Sequence, residues 1–448
     1  MPTRSTRKAC VESTRALYKV HRLIKTLKAV ALQFAAIWWL PSQVKTARRA
    51  VMALQPSNGT SAAPRRQLLV DVSIIASHDA GTGIQRVVRC LLLQLLDAPP
   101  PGFEIRPVRA TRNRPYRYAD SYLTSATSFG PKEDNENVRV SNGDIFLGLD
   151  LASRIAPRRQ FDLLKWRTNG VRCAFVVYDL LPLLHPDWFT PRAYRSFRHW
   201  LSTLAVHADA LFCISRSVSA EVRDCMKRRF NLAEKEFSTS WFHLGADLPP
   251  NHASKATTSP RLACLNPRPI HRAVLMVGTI EPRKGHAQVL DAFDLLWRSG
   301  AEQTLIIAGR QGWHVESFIE RLKNHPEAGK RLLWLPDIKD SQLAQLYAEL
   351  DGLVMASEAE GFGLPLVEAS QYGMPLFVRD LAVFREVAEE NAAYFTAQSG
   401  AELAPQLAEW LSQLDTCTAP ASHAMKSLTW FASAKQLKAL IADLDRSQ

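Results

Sequence analysis

Acidic residues are nearly missing from the first 66 positions. Thirteen Lys and Arg stand there against Glu12 alone, so twelve of the chain's thirteen net positive charges fall in that stretch. The rest of the chain is close to neutral, which argues against a nucleic-acid-binding body. Cysteine is sparse and scattered: seven residues in 448, none spaced as C-x-x-C. That excludes a structural zinc knot and a disulfide framework and points to a reducing compartment. No long apolar run is present either. The uncharged, mostly apolar run from Ala29 to Leu40 would reach about 18 Å as a helix, short of a bilayer core of about 30 Å. No small-x-small cleavage site follows it, so a secretory signal fits poorly. A G-x-G-x-x-G turn with an acidic residue about twenty positions later is absent too, which disfavours a nicotinamide dehydrogenase.

The basic stretch does have internal order. Leu17, Val20, Ile24, Leu27, Ala31, Phe34 and Trp38 recur at three- and four-residue steps, while Arg15, Lys19, Arg22 and Lys25 lie largely on the other face. A basic amphipathic helix ending in Trp38-Trp39 suits an anionic membrane surface, contacted through residues 15–40. The same residues also fit a helix packed on the body, an unstructured tail, a transit peptide, or a region upstream of a true start at Met52. Residues 54–66 look like a flexible linker.

Beyond residue 66 the length suits two domains of roughly 200 residues. Short apolar runs alternate with helical periodicity throughout: Leu68–Val72, Asp144–Leu149, Arg172–Tyr178 and Ala210–Ser215, then Ala273–Val277, Thr304–Ala308, Arg331–Leu335, Leu353–Ala356 and Leu376–Val378. That alternation predicts a doubly wound parallel α/β sheet in each half. The expected division is 1–66 extension and linker, 67–255 first domain, 256–270 linker, 271–430 second domain, and 431–448 a final helix.

The most informative stretch runs from Gly352 to Asp380. A strand is followed by a loop bearing Glu358, Glu360, Gly361 and Gly363. Pro365 then occupies a first-turn helical position, and Gly373 and Pro375 end that helix before the next strand. Gly361 and Gly363 allow close backbone approach, and helix-start amides favour an anion such as phosphate. Glu360 and Glu368 would repel that phosphate, so they suit hydroxyl groups on either side of it. A phosphate flanked by hydroxyl-bearing groups describes a nucleotide sugar. A solvated surface loop is the bland alternative. GTIEPRKG, at Gly278–Gly285, places Arg283 and Lys284 at a strand-to-helix turn, as a diphosphate clamp or merely a solvated face. In the first half, Gly81 and Gly83 open a helix, and Asp179 and His185 follow a strand's carboxyl end, where open α/β sheets place ligands. His207 precedes a strand and suits a structural role.

Four elements in order, GTGI, YDLLP, GTIEPRKG and EGFGLPLVEA, closely resemble glycosyltransferase family 4, over roughly residues 67–445. The resemblance implies the GT-B fold: two Rossmann-like domains facing across a cleft, the nucleotide sugar on the second and the acceptor on the first, with the last helix crossing back. It also implies a retaining transferase whose departing diphosphate helps take the acceptor proton. Divalent metal is usually unnecessary in that family, and no Asp-x-Asp pair is placed to hold one. Carried over, Lys284 and Arg283 bind the diphosphate, Glu360 holds sugar hydroxyls, and Glu368 holds the ribose. Gly361, Phe362, Gly363 and Leu364 offer backbone amides. Gly83, Gly278, Gly309 and Ile338 line the donor, the last two near the base, and Asp179 touches sugar or acceptor. Two residues depart from the pattern: Thr279 where many relatives have Arg, and Tyr178 where many have His. The expected partners are a nucleotide sugar (GDP-mannose as the first guess), a glycan or lipid-linked acceptor, and an anionic membrane, with no nucleic acid and no cofactor. The expected setting is cytoplasmic, peripheral on the inner face of the plasma membrane, in bacterial surface polysaccharide synthesis. A catalytically weakened scaffold subunit is the rival.

Overall fold

Runs rich in Val, Ile, Leu and Phe, apolar at every position, form strands covered on both faces. The computed structural model describes residues 4–54, 65–119, 122, 136–247 and 272–446, with side chains of the first helix from Val20 onward. The expected linkers lie mostly outside these residues. The chain divides into two units. The first comprises residues up to Ile214, Val218–Phe242 and the segment from Ala434; the second comprises Ser215–Ser217 and His243–Ser433.

The first unit contains seven strands: β1 (Arg66–Asp71), β2 (Phe103–Arg109), β3 (Arg117–Tyr118), β4 (Ile145–Gly148), β5 (Arg172–Val177), β6 (Ala210–Cys213) and β7 (Ser238–Trp241). Their order is β3-β2-β1-β4-β5-β6-β7, parallel except for β3 on β2. The second unit contains β8 (Ala273–Val277), β9 (Thr304–Ala308), β10 (Leu332–Leu335), β11 (Gly352–Met355), β12 (Leu376–Arg379) and β13 (Ala393–Phe395). Its order is β10-β9-β8-β11-β12-β13. Each sheet is therefore wound outward from a first strand beside which the order reverses, the point where such sheets bind ligands.

Every strand expected from the sequence is present to within two residues at each end. Of the unexpected ones, β2, β3 and β7 lack a continuous apolar run, and β13 is only three residues long. In β2, Pro107 and three charged residues interrupt the pattern, yet it pairs with β1 along six residues.

The N-terminal region corrects the sequence reading most. The expected division set residues 1–66 apart as an extension; instead helix α2 (Val44–Met52) and the part of helix α1 (Arg4–Trp38) from Ala29 onward pack into the first unit. Ala29, Ala36, Ile37, Val44, Ala47 and Val51 are fully buried in the core that includes Leu69, Phe146 and Trp200. Arg48 is buried as well. Its guanidinium donates to the carbonyls of Ala205 (3.1 Å), Ala208 (2.7 Å) and Glu236 (2.8 Å). The first two lie at the end of the helix Pro191–His207, so Arg48 occupies the place where helix carbonyls need donors and the dipole favours a cation. Burial lowers its pKa to about 10, against the raising charge of Asp209. A start at Met52 would remove all of this.

At the other end, the helix Trp430–Arg446 contributes its residues from Ala434 to the first unit. Asp445 accepts from both terminal nitrogens of Arg66, at 2.6 and 2.7 Å, and pairs with Arg172 at 3.2 Å. Lys438 donates to the carbonyls of Gln94 and Ala98.

Candidate active site

In the second unit, β8 and β11 are parallel neighbours at the centre of the sheet. The loops leaving their carboxyl ends carry the two motifs. After β8 the chain makes a short turn at Pro282–Lys284 and enters the helix His286–Arg298 through Gly285. Gly285 is left-handed, at φ 70°, and a Cβ there would sit 2.3 Å from the carbonyl oxygen of Ala356, at the end of β11. No other residue type fits both demands. The two loops are thus locked together by backbone contact.

That contact brings three predicted residues into one cluster. Lys284 Nζ donates to Glu360 Oε1, Arg283 Nη1 lies 3.4 Å from Glu360 Oε2, and Ser357 Oγ donates to Glu360 Oε1 at 2.7 Å. Arg283 also pairs with Glu281 at 2.9 Å and donates to the Ala359 carbonyl. Burial opposes the charge on Glu360, but Lys284 and Arg283 outweigh it and hold the carboxyl down at about 2. Burial raises the carboxyl of Glu281 in spite of the same cations. His286 is buried behind them; desolvation, helped by the Lys284 charge, lowers it to about 3, so it is neutral. Two cations and two carboxylates at this density form a preorganised electrostatic site.

The neighbouring glycines serve this geometry. Gly278, at φ 138°, leaves Lys284 Cε only 3.8 Å from where a Cβ would sit. A Cβ on Gly309 would clash with the Gly278 carbonyl at 1.8 Å, so the loop after β9 lies directly against the loop after β8. Ile280 N donates to Arg310 O, and Gly312 N to Ile280 O. Ile338 is half-buried beside the core formed by Leu335 and Leu343, and its neighbour Asp337 faces Arg310 at 3.5 Å.

Gly363 is left-handed, at φ 99°, and caps the helix Leu364–Ser370. The Gly361 carbonyl accepts from Ser215 Oγ at 2.8 Å. The Phe362 ring lies 5.6 Å from that of His243, which in turn is 2.7 Å from Glu386. Glu368 stands apart from Glu360. It is buried on the same short helix and accepts a hydrogen bond from Tyr347 Oη at 2.9 Å, and Tyr347 stacks on Tyr372. Sequence reasoning missed Tyr347, Ser357 and Glu281. Ser357 had a local signal, three residues before Glu360, whereas Tyr347 looks like any apolar position of its helix.

In the first unit the predicted residues have local roles. Gly83 begins helix α3 (Gly83–Asp97), capped reciprocally by Thr82 and Gln85. Asp179 accepts from Leu181 N at 3.1 Å, starting a short helix at Leu181–Leu184. Its charge, after burial, helps raise Glu221 to about 7. Tyr178, at the position where many relatives have His, is buried, and its hydroxyl donates to the Leu149 carbonyl at 2.8 Å. His185 stacks on Trp188. His207 is buried and neutral, as a structural histidine should be. Among the described residues, no three His, Cys, Asp or Glu side chains gather as a metal cage.

Comparison with known proteins agrees with this geometry. Residues 268–426 match the family model described as glycosyl transferases group 1. The chain is 42% identical over 376 residues to the serotype-specific mannosyltransferase WbdA of Escherichia coli, covering 83% of this chain and 44% of that protein. It thus spans less than half the length of this relative. Among solved structures, sucrose-phosphate synthase from Thermosynechococcus elongatus superposes with a TM-score of 0.58 at 15% identity, covering 86% of this chain and 100% of that one. HepE from Anabaena, solved in complex with UDP, gives 0.57 at 16% identity, covering 84% and 100%. At these identities the structures show the fold, which is GT-B.

Proposed function

We propose, from the match of residues 268–426 to the glycosyl transferases group 1 family, that this chain moves a sugar from a nucleotide sugar onto a growing glycan or lipid-linked acceptor in surface polysaccharide synthesis. The observation that carries the reading is the cluster of Lys284 and Arg283 around Glu360, at the switch point of the second sheet. When the bond from the sugar C1 to the β-phosphate oxygen breaks, the negative charge that grows on the leaving diphosphate needs stabilisation. Two fixed cations in a partly dry site provide it. Glu360, kept ionised, accepts hydrogen bonds from sugar hydroxyls, and Glu368, with Tyr347 against it, accepts from the ribose. Retention follows if the acceptor attacks the face that the diphosphate leaves and the diphosphate takes its proton. The cations meet the diphosphate charge, so no metal is assigned. The mannosyltransferase relative supports GDP-mannose as the donor to test first. No described helix is long and apolar enough to cross a membrane, and we place the enzyme on the inner face of the plasma membrane.

The second reading, a weakened binding subunit, is favoured by Tyr178, whose hydroxyl is committed to a backbone carbonyl. Thermal stabilisation of the full chain by a panel of nucleoside diphosphates and nucleotide sugars tests the donor site. A ligand at 100 times its dissociation constant adds about 2.7 kcal/mol, and the gain should disappear in Lys284→Ala. No stabilisation by any nucleotide would sink the transferase reading. Stabilisation without turnover would select the binding subunit.

A further inference from the structure

Helix α1 has two apolar faces, and the first unit uses only one. Ala29, Gln33, Ala36 and Ile37 are buried. Val20, Leu23, Ile24 and Leu27 are between 56% and 59% exposed, and Phe34 is also open. The pairs 27/29 and 31/33 are each separated by about 200° around a helix, so the open stripe lies opposite the packed one. The sequence stripe of Val20, Ile24, Leu27, Ala31 and Phe34 is the open face. Beyond it, Trp39 is 69% exposed and Leu40 51%, and the Trp39 ring is held edge-on to Phe34 at 5.0 Å.

Charge chooses the occupant. His21, Lys25 and Lys28 are exposed along the same stretch, and no acidic residue occurs between Glu12 and Asp71. Lys45 and Arg49 are committed to Glu236 and are left out of this count. A second copy of the chain would bring the same positive charges to the face. A flat anionic surface with an apolar interior satisfies every feature: the apolar stripe enters, Lys28 at its flank meets the headgroups while Lys25 on the polar face adds longer-range attraction, and Trp39 sits at the boundary.

We propose that helix α1 lies in the interface of an anionic bilayer through Val20, Leu23, Ile24, Leu27, Phe34 and Trp39. Its opposite face, packed in the core, fixes the orientation of the first unit on that surface. The proposal deepens the membrane location given above and does not depend on transferase activity.

The test is co-sedimentation of the full chain with vesicles of phosphatidylcholine alone or with a third phosphatidylglycerol. We expect binding to the anionic vesicles, at least tenfold weaker to the neutral ones, and falling with salt. Ile24→Glu/Leu27→Glu should lower the anionic affinity at least tenfold, and Lys25→Glu/Lys28→Glu several-fold. These side chains lie outside the core, so melting temperature and nucleotide stabilisation should be unchanged, which separates this proposal from the donor-site reading. Absence of vesicle binding, equal binding to neutral vesicles, or full binding by Ile24→Glu/Leu27→Glu would overturn it. So would self-association through this face without lipid.

Discussion

The two sheets share a winding order but use the carboxyl ends of their strands differently. In the second unit, the charged groups there face one another: Lys284 and Arg283 surround Glu360. In the first unit, carboxylates at the strand ends are consumed by backbone amides and buried hydroxyls. Asp150, just beyond β4, accepts from the amides of Ile74 and Ile75 at 2.7 and 2.8 Å. Asp71, the last residue of β1, accepts from Ser73 N at 2.9 Å and Tyr116 Oη at 2.9 Å. A carboxylate satisfied by amides or a buried hydroxyl shapes a loop, whereas one held between two fixed cations keeps paired charges at a strand end, where a ligand can meet them. The same topology therefore carries loop-shaping carboxylates in one half and a cluster of opposed charges in the other; we read the second as the donor site, since function follows the site rather than the fold.

This contrast can be broken at either end. The largest effect belongs to the second unit. Lys284→Ala should lower the transfer rate constant by about 100- to 1,000-fold, with little loss of melting temperature. Equal kcat in the variant would deny the site its chemistry. Arg48→Met in the first unit should do the reverse, costing about 2–4 kcal/mol of stability by orphaning three buried carbonyls. Chemical denaturation would read it, with nucleotide stabilisation intact. Asp150→Ala should follow at about 1–3 kcal/mol, again without loss of the donor site.

The pH dependence should have opposite signs in the two units. Glu360 titrates at about 2, below its ordinary 4.5; its contribution is complete above 4.5 and is lost as pH falls toward 2. Asp71 is pushed by burial, against its hydrogen bonds, from 3.8 up to about 7. Its contribution is complete below 3.8 and is lost as pH rises through 7. Asp71→Asn should flatten stability between those limits, and an unchanged slope would reassign it. The smallest effect is Tyr347→Phe, which removes one hydrogen bond to Glu368 and should weaken nucleotide binding by about 2- to 10-fold. Titration with a ribose and a 2′-deoxyribose diphosphate should show the loss in the ribose ligand alone.

Much of the architecture was legible from residue order. Alternating apolar runs and helical periods set nine strands in place, because a strand buried on both faces must be apolar at every position. Gly285 and Gly363 were legible as turns, and both need left-handed backbone. The site was legible in part. Glu360, Lys284 and Arg283 stood out by type and spacing, but their meeting across 76 positions required β8 and β11 to be neighbours. Tyr347 was invisible, because its helix pattern marks it as core and only packing puts its hydroxyl on Glu368.

The basic first helix shows the division most sharply. The sequence by itself determined that residues 17–38 carry an amphipathic, acid-poor pattern at helical spacing, since periodicity and charge are properties of the chain alone. Only the tertiary structure decided which face is spent. Small residues at 29 and 36 allow close packing against the first unit, and Arg48 fastens the next helix to three buried carbonyls. Helical periodicity records how residues are grouped around an axis, but not what lies beside it. That depends on which surface the rest of the chain leaves to be covered.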